Sequence, residues 1–348
     1  MNKEKQYTFS IASATMTEAL KNLWEEAFGD ERSYIDFFFL NRFRPAETVV
    51  CLDGQIPVGV SYCLPVSLFL PLPLPREQSD PYLPGKGNGN PDGAVKQSPA
   101  LQEAKARYIY AVAVKKEYRR QGIAAELLRF AHRSFAEPLI LEPADDHLLR
   151  YYERLGFEKA FYVDEYELSP ETCLTSEGKQ TTLTDKPEEM YKNPMENKPD
   201  ISIHTCTPES YRQIRDARFH ASGYVQWDEQ AIAYALKENE YCGGKAYEIS
   251  INDRREILLL RPGKDAIHIL ETTLTDQDLY QVLKHLGLAP GKTFLRRNPA
   301  FAKSFSTSVS PTENPTTRCI GLLYGREPAR KTTNNDQTSQ GYLNLTLE

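Results

Sequence analysis

Apolar positions along this chain alternate between helical and extended spacing in a regular order. Leu20, Leu23, Trp24 and Ala27 recur at every third or fourth position and stop near Gly29, which predicts an amphipathic helix; Tyr34, Phe37 and Phe38 predict a second. Thr48 to Leu52, a turn at Asp53-Gly54, and Val58 to Leu70 then read as a β-hairpin or the start of a meander. Tyr108 to Val114 is aromatic and β-branched, as a buried strand is, and Ala124, Leu127, Leu128, Ala131 and Phe135 return to helical spacing. Pro138 to Leu141 predicts a short buried strand. Asp145 is placed to cap a helix that runs through Leu155, and Lys159 to Leu168 predicts the strand after it.

The second half repeats this plan. Helical patterns near Tyr211 to Phe219 and Glu229 to Lys237 precede strands near Lys245 to Ile251, Glu256 to Arg261 and Ala266 to Thr272; Leu279, Val282, Leu283 and Leu286 then form another helix face. Two helices, three strands and a helix is the order of both halves, which predicts one fold present twice. Three stretches break the pattern. Residues 71–104 carry Pro71, Pro73, Pro75, Pro81 and Pro84 and then a run of Gly, Asn, Lys and Asp, a composition that predicts a flexible insertion, with a lid over a binding site as the other reading. Residues 169–200 read as a polar linker, and 326–348 as a Thr/Asn/Gln-rich disordered tail in which Tyr342 to Leu347 alternates weakly, as an edge strand would. The expected organisation is a domain over 1–168, the linker, a second domain over 201–325, and the tail.

Composition narrows the class. At 348 residues the chain is long enough for two cores, and a net charge of −6 with pI near 5.7 argues against a general nucleic-acid binder. The start, Met-Asn-Lys-Glu-Lys-Gln-Tyr, leads into no apolar segment, so a cytoplasmic protein without a membrane anchor is expected. The six cysteines are dispersed without Cys-x-x-Cys or Cys/His ligand spacing, so reduced thiols and no metal site are expected.

The chemistry concentrates where the strand ending at Val114 meets the helix beginning near Ala124. Arg119, Arg120, Gln121 and Gly122 lie between them. A helix start offers unpaired backbone N–H groups and the positive end of its dipole, so a basic, glycine-containing turn there suits a phosphate, and a Cβ at Gly122 is expected to stand in the anion's way. A solvated surface turn explains the same residues, and the turn alone leaves both readings open.

The order Arg119-Arg120-Gln121-Gly122-Ile123-Ala124, preceded by Ala113-Val114 and Tyr118, resembles motif A of the GNAT superfamily of acyl-CoA-dependent N-acyltransferases. Downstream, Leu149-Arg150-Tyr151-Tyr152-Glu153-Arg154-Leu155-Gly156-Phe157 is similar to the Tyr-x-x-x-Gly-Phe ending of that superfamily's motif B. The resemblance implies an α/β (α+β) fold: a mixed, mostly antiparallel sheet flanked by helices, followed here by a second, degenerate GNAT-like domain. It implies transfer of an acetyl group from acetyl-CoA, as cosubstrate and without a metal, by direct attack of an amine in a ternary complex. The acceptor amine would be a small molecule or a peptide.

By the same resemblance, the main chain of Val112 and Val114 would pair with the pantetheine arm. Arg119, Arg120, Gln121, Gly122, Ile123, Ala124 and Ala125 would wrap the diphosphate. Tyr152 holds the position of the general acid; Tyr151 leaves the face shared by Leu148, Tyr152 and Leu155. Glu142, at the end of a strand, is the candidate base, with an exposed strand-end carboxylate as the equal alternative. Asp145 stands where many relatives carry an asparagine that contacts the cofactor, and reads better as a cap. His132 and His147 read as packing or surface residues. In the second half the corresponding turn, Glu271 to Asp278, has neither glycine nor a basic residue, and its acidic side chains are expected to repel a diphosphate. A non-catalytic protein that binds or senses acyl-CoA is the second reading of the whole.

Overall fold

The computed structural model describes residues 6–71, 101–168, 200–219, 224–288, 292–297 and 316–325. Seven α-helices are described: α1 (Thr17–Phe28), α2 (Arg32–Asn41), α3 (Ile123–Phe135), α4 (Asp146–Arg154), α5 (Pro208–Phe219), α6 (Glu229–Tyr241) and α7 (Asp276–His285). The strands of the first half are β1 (Thr8–Ile11), β2 (Thr48–Asp53), β3 (Ile56–Pro71), β4 (Leu101–Val114), β5 (Leu139–Leu141) and β6 (Glu158–Leu168). Those of the second are β7 (Ile201–Thr205), β8 (Tyr224–Gln226), β9 (Lys245–Ile251), β10 (Arg254–Pro262), β11 (Ala266–Thr272), β12 (Lys292–Arg297) and β13 (Thr316–Tyr324).

All thirteen strands join one sheet in the order β1-β2-β3-β4-β5-β13-β6-β12-β11-β10-β9-β7, with β8 added to β3. Most neighbours are antiparallel; β4 with β5 and β11 with β12 are parallel, each pair joined through one helix, α3 or α7. The mixed, mostly antiparallel sheet expected from sequence is therefore present. The halves are not separable along it, however. β13, late in the sequence, lies between β5 and β6, and β6 pairs with β13 on one edge and with β12 on the other. The expected cut at residue 200 allots β13 to the second half, yet β13 completes the sheet of the first. Its pairing partners lie some 150 positions upstream by number, beyond the reach of local periodicity.

The first half's helices divide between two cores. Leu20, Leu23, Trp24, Ile35 and Phe38 of α1 and α2 pack with Tyr62, Tyr108 and Tyr110 of the sheet, and the same core continues into Tyr211, Ile232 and Tyr234 of α5 and α6. On a different core, Ile123, Leu127, Leu128 and Ala131 of α3 meet Val49, Val58, Ile109, Leu139 and Tyr152. A third core forms where α7 covers β9 to β12. Gly59 of β3 sets how closely α3 sits on the sheet: a Cβ there would lie 3.0 Å from Ile123 Cγ2 and 3.1 Å from Leu127 Cδ1.

Several boundaries differ from expectation. Of the insertion expected over 71–104, residues 71 and 101–104 belong to strands: β3 runs to Pro71 and β4 begins at Leu101, held by a continuous ladder from Pro71↔Leu101 to Leu64↔Tyr108. Residues 72–100, 169–199 and 326–348, which include the insertion's middle, nearly all of the linker, the tail and the Tyr342 to Leu347 strand, lie outside the described residues. β1, β7, β8, β12 and β13 have no counterpart in the sequence reading; they are short or broken by polar residues, and are held by neighbours rather than by their own pattern. Among the described residues no helix is long and apolar enough to cross a membrane, and no group of His, Cys, Asp and Glu is arranged to hold a metal ion.

The close seat of α3 is testable. Gly59→Val inserts a branched side chain into a space already filled, so it should lower unfolding free energy by about 1–3 kcal/mol; an unchanged denaturant midpoint would show that α3 does not rest on this strand.

Candidate functional site

Strands β4 and β5 pair at only two positions, Arg107↔Leu139 and Tyr108↔Ile140, and then part. The cause lies in β4. Ala111 has φ +52°, in the left-handed region that costs a residue with a Cβ about 1–2 kcal/mol, and the register with β3 slips where Tyr110 and Val112 face Tyr62 and Ser61. This bulge turns the end of β4 away from β5. Between them opens a cavity of about 730 Å³ lined by Tyr108, Tyr110, Val112, Glu142, Leu148 and Tyr152, with Trp24, Phe28, Asp30 and Tyr34 from the first two helices. Arg296 of β12, Arg318 of β13 and Cys242, just past α6, bring the second half to its wall.

Past the bulge the chain passes through a 3-10 turn, Lys116–Tyr118, and reaches α3 at Gly122. The turn is fixed on several sides: Tyr118 donates to Asp53 Oδ2 (2.9 Å), Tyr7 to Gln121 Oε1 (2.6 Å), and the Lys116 amide to Glu26 Oε1 (2.9 Å). Arg120 (φ +63°) and Gly122 (φ +78°) both lie in the left-handed region, which curls successive N–H groups toward one side. No side chain caps α3. The first-turn amides of a helix have no partner within the helix, so those of Ile123, Ala124 and Ala125 are placed to receive an anion. The positive φ at 122 favours glycine, and a Cβ there would meet no protein atom within 4 Å, so the space beside it is open.

The remaining residues expected at the site separate by role. Val112 lines the cavity, whereas the carbonyl of Val114 accepts a bond from Arg119 Nε (3.0 Å), which ties that arginine back to the strand. Ile123 and Ala125 bury their side chains in the core, Ala124 is half-buried, and Arg119, Arg120, Gln121 and Gly122 are exposed.

Tyr152 lies on α4 with its ring 9 % exposed, packed edge-on to Phe157 (5.6 Å) and Tyr151 (5.3 Å). Burial pushes its phenol up to about 12, with a smaller contribution from Tyr151. It therefore holds its proton throughout the neutral range. Leu148 and Tyr152, one turn apart, share the cavity-facing side of α4, and Tyr151 does not line the cavity. Glu142, just past β5, lines the same cavity and is half-buried. Asp145 caps α4: its Oδ1 accepts from the Leu148 amide at 2.7 Å. His132 is held by packing, with Nδ1 3.0 Å from the Glu137 carbonyl and its ring against Tyr324; His147 is exposed. Sequence reading missed Arg296, Arg318, Asp30 and Tyr110, because no motif marks them and two of them arrive on strands it did not foresee.

The second half has the same strand–helix–strand unit in β11, α7 and β12, but its gap is occupied. Arg297, 3 % exposed at the end of β12, donates to the Leu274 carbonyl (2.5 Å), Asp276 Oδ1 (2.7 Å) and Tyr166 Oη (2.9 Å). Thr275 caps α7 through the Asp278 amide at 3.1 Å. The expectation that acidic side chains here repel a diphosphate does not describe the structure. Glu271 is fully buried against Arg215 (3.2 Å) and Tyr211 (2.6 Å), and Asp278 pairs with Arg254 at 2.7 Å. Their charges are compensated; the place is filled rather than repulsive. A cavity of about 710 Å³ in this half, lined by Glu165, His268, Phe294 and Arg296 among others, does not include the α7 start, and Arg296 there is bonded to Glu165 (3.0 Å).

The cap on α4 has a direct consequence. Asp145→Ala should destabilise the protein by about 0.5–2 kcal/mol, and a chemical-denaturation midpoint equal to that of the parent would show that the cap carries no such weight.

The acetyltransferase (GNAT) domain family matches residues 88–159, which contain the basic turn, α3, β5 and α4. A search among curated proteins finds no match. Among solved structures, a GCN5-related N-acetyltransferase from Kribbella flavida aligns over 91% of this chain and 70% of its own, with 13% identity and a TM-score of 0.58. A GCN5-related N-acetyltransferase from Anabaena variabilis aligns over 91% of this chain and 72% of its own, with 14% identity and a TM-score of 0.60. The chain therefore has the GNAT fold, and its residues 88–159 match the acetyltransferase (GNAT) domain family.

Proposed function

We propose that this protein is an N-acetyltransferase that moves an acetyl group from acetyl-CoA to an amine, with both substrates bound together in the cavity between β4 and β5. The observation that carries the reading is the continuity of one cavity. It places the main chain at the Ala111 bulge beside the Tyr152 ring, and it opens in the first half where the second half is plugged by Arg297.

The residues fit an acyl-CoA. The uncapped amides of Ile123, Ala124 and Ala125, with Arg119, Arg120, Gln121 and Gly122 around them, suit the diphosphate, and the space beside Gly122 is open. Val112 offers main-chain groups to the extended arm where β4 has lost β5 as a neighbour; Val114 can contribute less, since its carbonyl is already engaged. When bound, the thioester supplies an activated acyl group and a thiol leaving group. Tyr152 keeps its proton until it is needed and hands it to the sulfur as the C–S bond breaks; its burial preserves the proton while making it a weaker acid than a free phenol. Glu142 lines the same cavity and can take part in proton handling there. Bound in this way, the reactants need only alignment and proton management, for which no metal is required.

Free thiol released from acetyl-CoA in the presence of a panel of amines tests the proposal; the absence of both turnover and CoA binding would sink it. Tyr152→Phe should lower kcat by about 10²–10⁴-fold with little change in CoA affinity. A variant with unchanged turnover would take the acid role away from Tyr152, and a parent that binds CoA but releases no thiol with any amine would favour a protein that binds acyl-CoA without transfer. Because Tyr152 titrates only near pH 12, the parent enzyme should show no alkaline loss of activity from this group between pH 7 and 10. The same raised pKa means that the fold is most stable with the phenol neutral, and that this contribution is lost as pH rises from 10 toward 12.

A further inference from the structure

Tyr34 of α2 and Tyr110 of β4 form the part of the cavity wall that faces the second half. Behind them stands Glu238 of α6, 2 % exposed. Tyr34 donates to Glu238 Oε1 at 2.5 Å, and Tyr234 donates to the same oxygen at 3.1 Å. A phenol has a single proton, and that of Tyr34 is directed at the carboxylate. In the 3.2 Å contact between Tyr110 and Tyr34 the donor is then Tyr110. The hydrogens run in one direction, from Tyr110 to Tyr34 to Glu238, and the Tyr110 oxygen, next to the Ala111 bulge, keeps lone pairs for a donor from the cavity.

Tyr34, Tyr110 and Tyr234 belong to an aromatic and aliphatic core, where a buried ionised group is weak support for stability. Burial first, and the Glu238 charge second, raise all three phenols well above their usual range, so they stay neutral and can pass a proton but not keep one fewer. The titratable groups facing the carboxylate include Tyr34 from α2, Tyr110 from β4, and Tyr234 on its own helix; Cys242 follows that helix beside Tyr34.

We propose that Glu238, reached through Tyr34 and Tyr110, is the terminal proton acceptor for the attacking amine, so that the second half supplies the base of a reaction whose acid lies in the first. The inference rests on the acetyl-transfer reading above and narrows the acceptor to amines that are protonated at neutral pH. The ammonium gives its proton to the Tyr110 oxygen as Tyr110 passes its own to Tyr34 and Tyr34 its own to Glu238. Nitrogen keeps the electron pair of the broken N–H bond and uses it to attack the thioester carbonyl; Glu238 ends as a neutral carboxylic acid and returns the proton to solvent after the product leaves. Tyr110 touches the substrate, while Tyr34 and Glu238 act through it. Tyr110 and Tyr152 belong to different cores and meet at one cavity, so the two proton transfers run on separate sides of it. Glu142, which lines the same cavity, is then not the base for the amine.

The test uses the full chain, acetyl-CoA and two acceptors, propylamine, which is charged at pH 7, and trifluoroethylamine, which is largely neutral there. Glu238→Gln should lower kcat for propylamine about 100-fold and shift its pH profile upward. Turnover of trifluoroethylamine and CoA affinity should stay within about threefold of the parent, as for a group that acts only on the proton. Tyr110→Phe should reproduce the split, and Glu142→Gln should not. Equal losses for both amines, no loss for either, or the split appearing in Glu142→Gln instead would overturn the relay. CoA binding reports whether each variant is folded; if Glu238→Gln does not bind CoA, Tyr34→Phe, which keeps the carboxylate, carries the same comparison. A parent protein that binds CoA but acetylates neither amine overturns the transfer reading itself, and the relay with it.

Discussion

The parting of β4 from β5 governs this molecule. Two parallel strands that share only two paired positions leave backbone groups without a ladder partner, and a fold retains such groups only where something else can satisfy them. The residue that forces the parting, Ala111 at φ +52°, holds a conformation that its side chain disfavours. β3 is fixed to both sides of the bulge, α3 is held close over the sheet by the absence of a side chain at Gly59, and α4 delivers Tyr152 to the gap from beyond β5. Each of these depends on the strands separating where they do.

The second half shows what happens when the same unit is closed. β11, α7 and β12 repeat the strand–helix–strand order, but Arg297 fills the space with three hydrogen bonds and Thr275 caps the helix that would otherwise present free amides. That half has been put to another use. Its β13 completes the first half's sheet, its Arg296 and Arg318 reach the cavity, and its Glu238 is bonded to a tyrosine of the cavity wall. Both halves line one cavity.

How much of this the sequence revealed depended on range. Amphipathic helices such as α1 and α3, the Asp145 cap and the basic turn at Arg119 to Gly122 are local, and periodicity or spacing exposes them directly. Tyr152 was legible through the resemblance of its surroundings to the Tyr-x-x-x-Gly-Phe ending, and helical geometry relative to Leu148 set it apart from Tyr151. β13 was not, since its strand character depends on neighbours far upstream in the chain. Glu271 was misread for a related reason. A carboxylate in sequence looks like surface charge, and only the fold brings Arg215 and Tyr211 to it. Glu238 carried no signal at all: on α6 it is an ordinary helix glutamate, and its partners come from α2, β4 and one turn back along its own helix.

The central claim, one acyl-CoA site built on the parted strands of the first half and completed by the second, is tested most directly by a crystal structure of the protein with acetyl-CoA. The account predicts one molecule per chain, its diphosphate at the Ile123 end of α3 and its thioester between the Ala111 bulge and Tyr152. Acetyl-CoA at the start of α7, or bound to the chain anywhere outside the gap between β4 and β5, would contradict it.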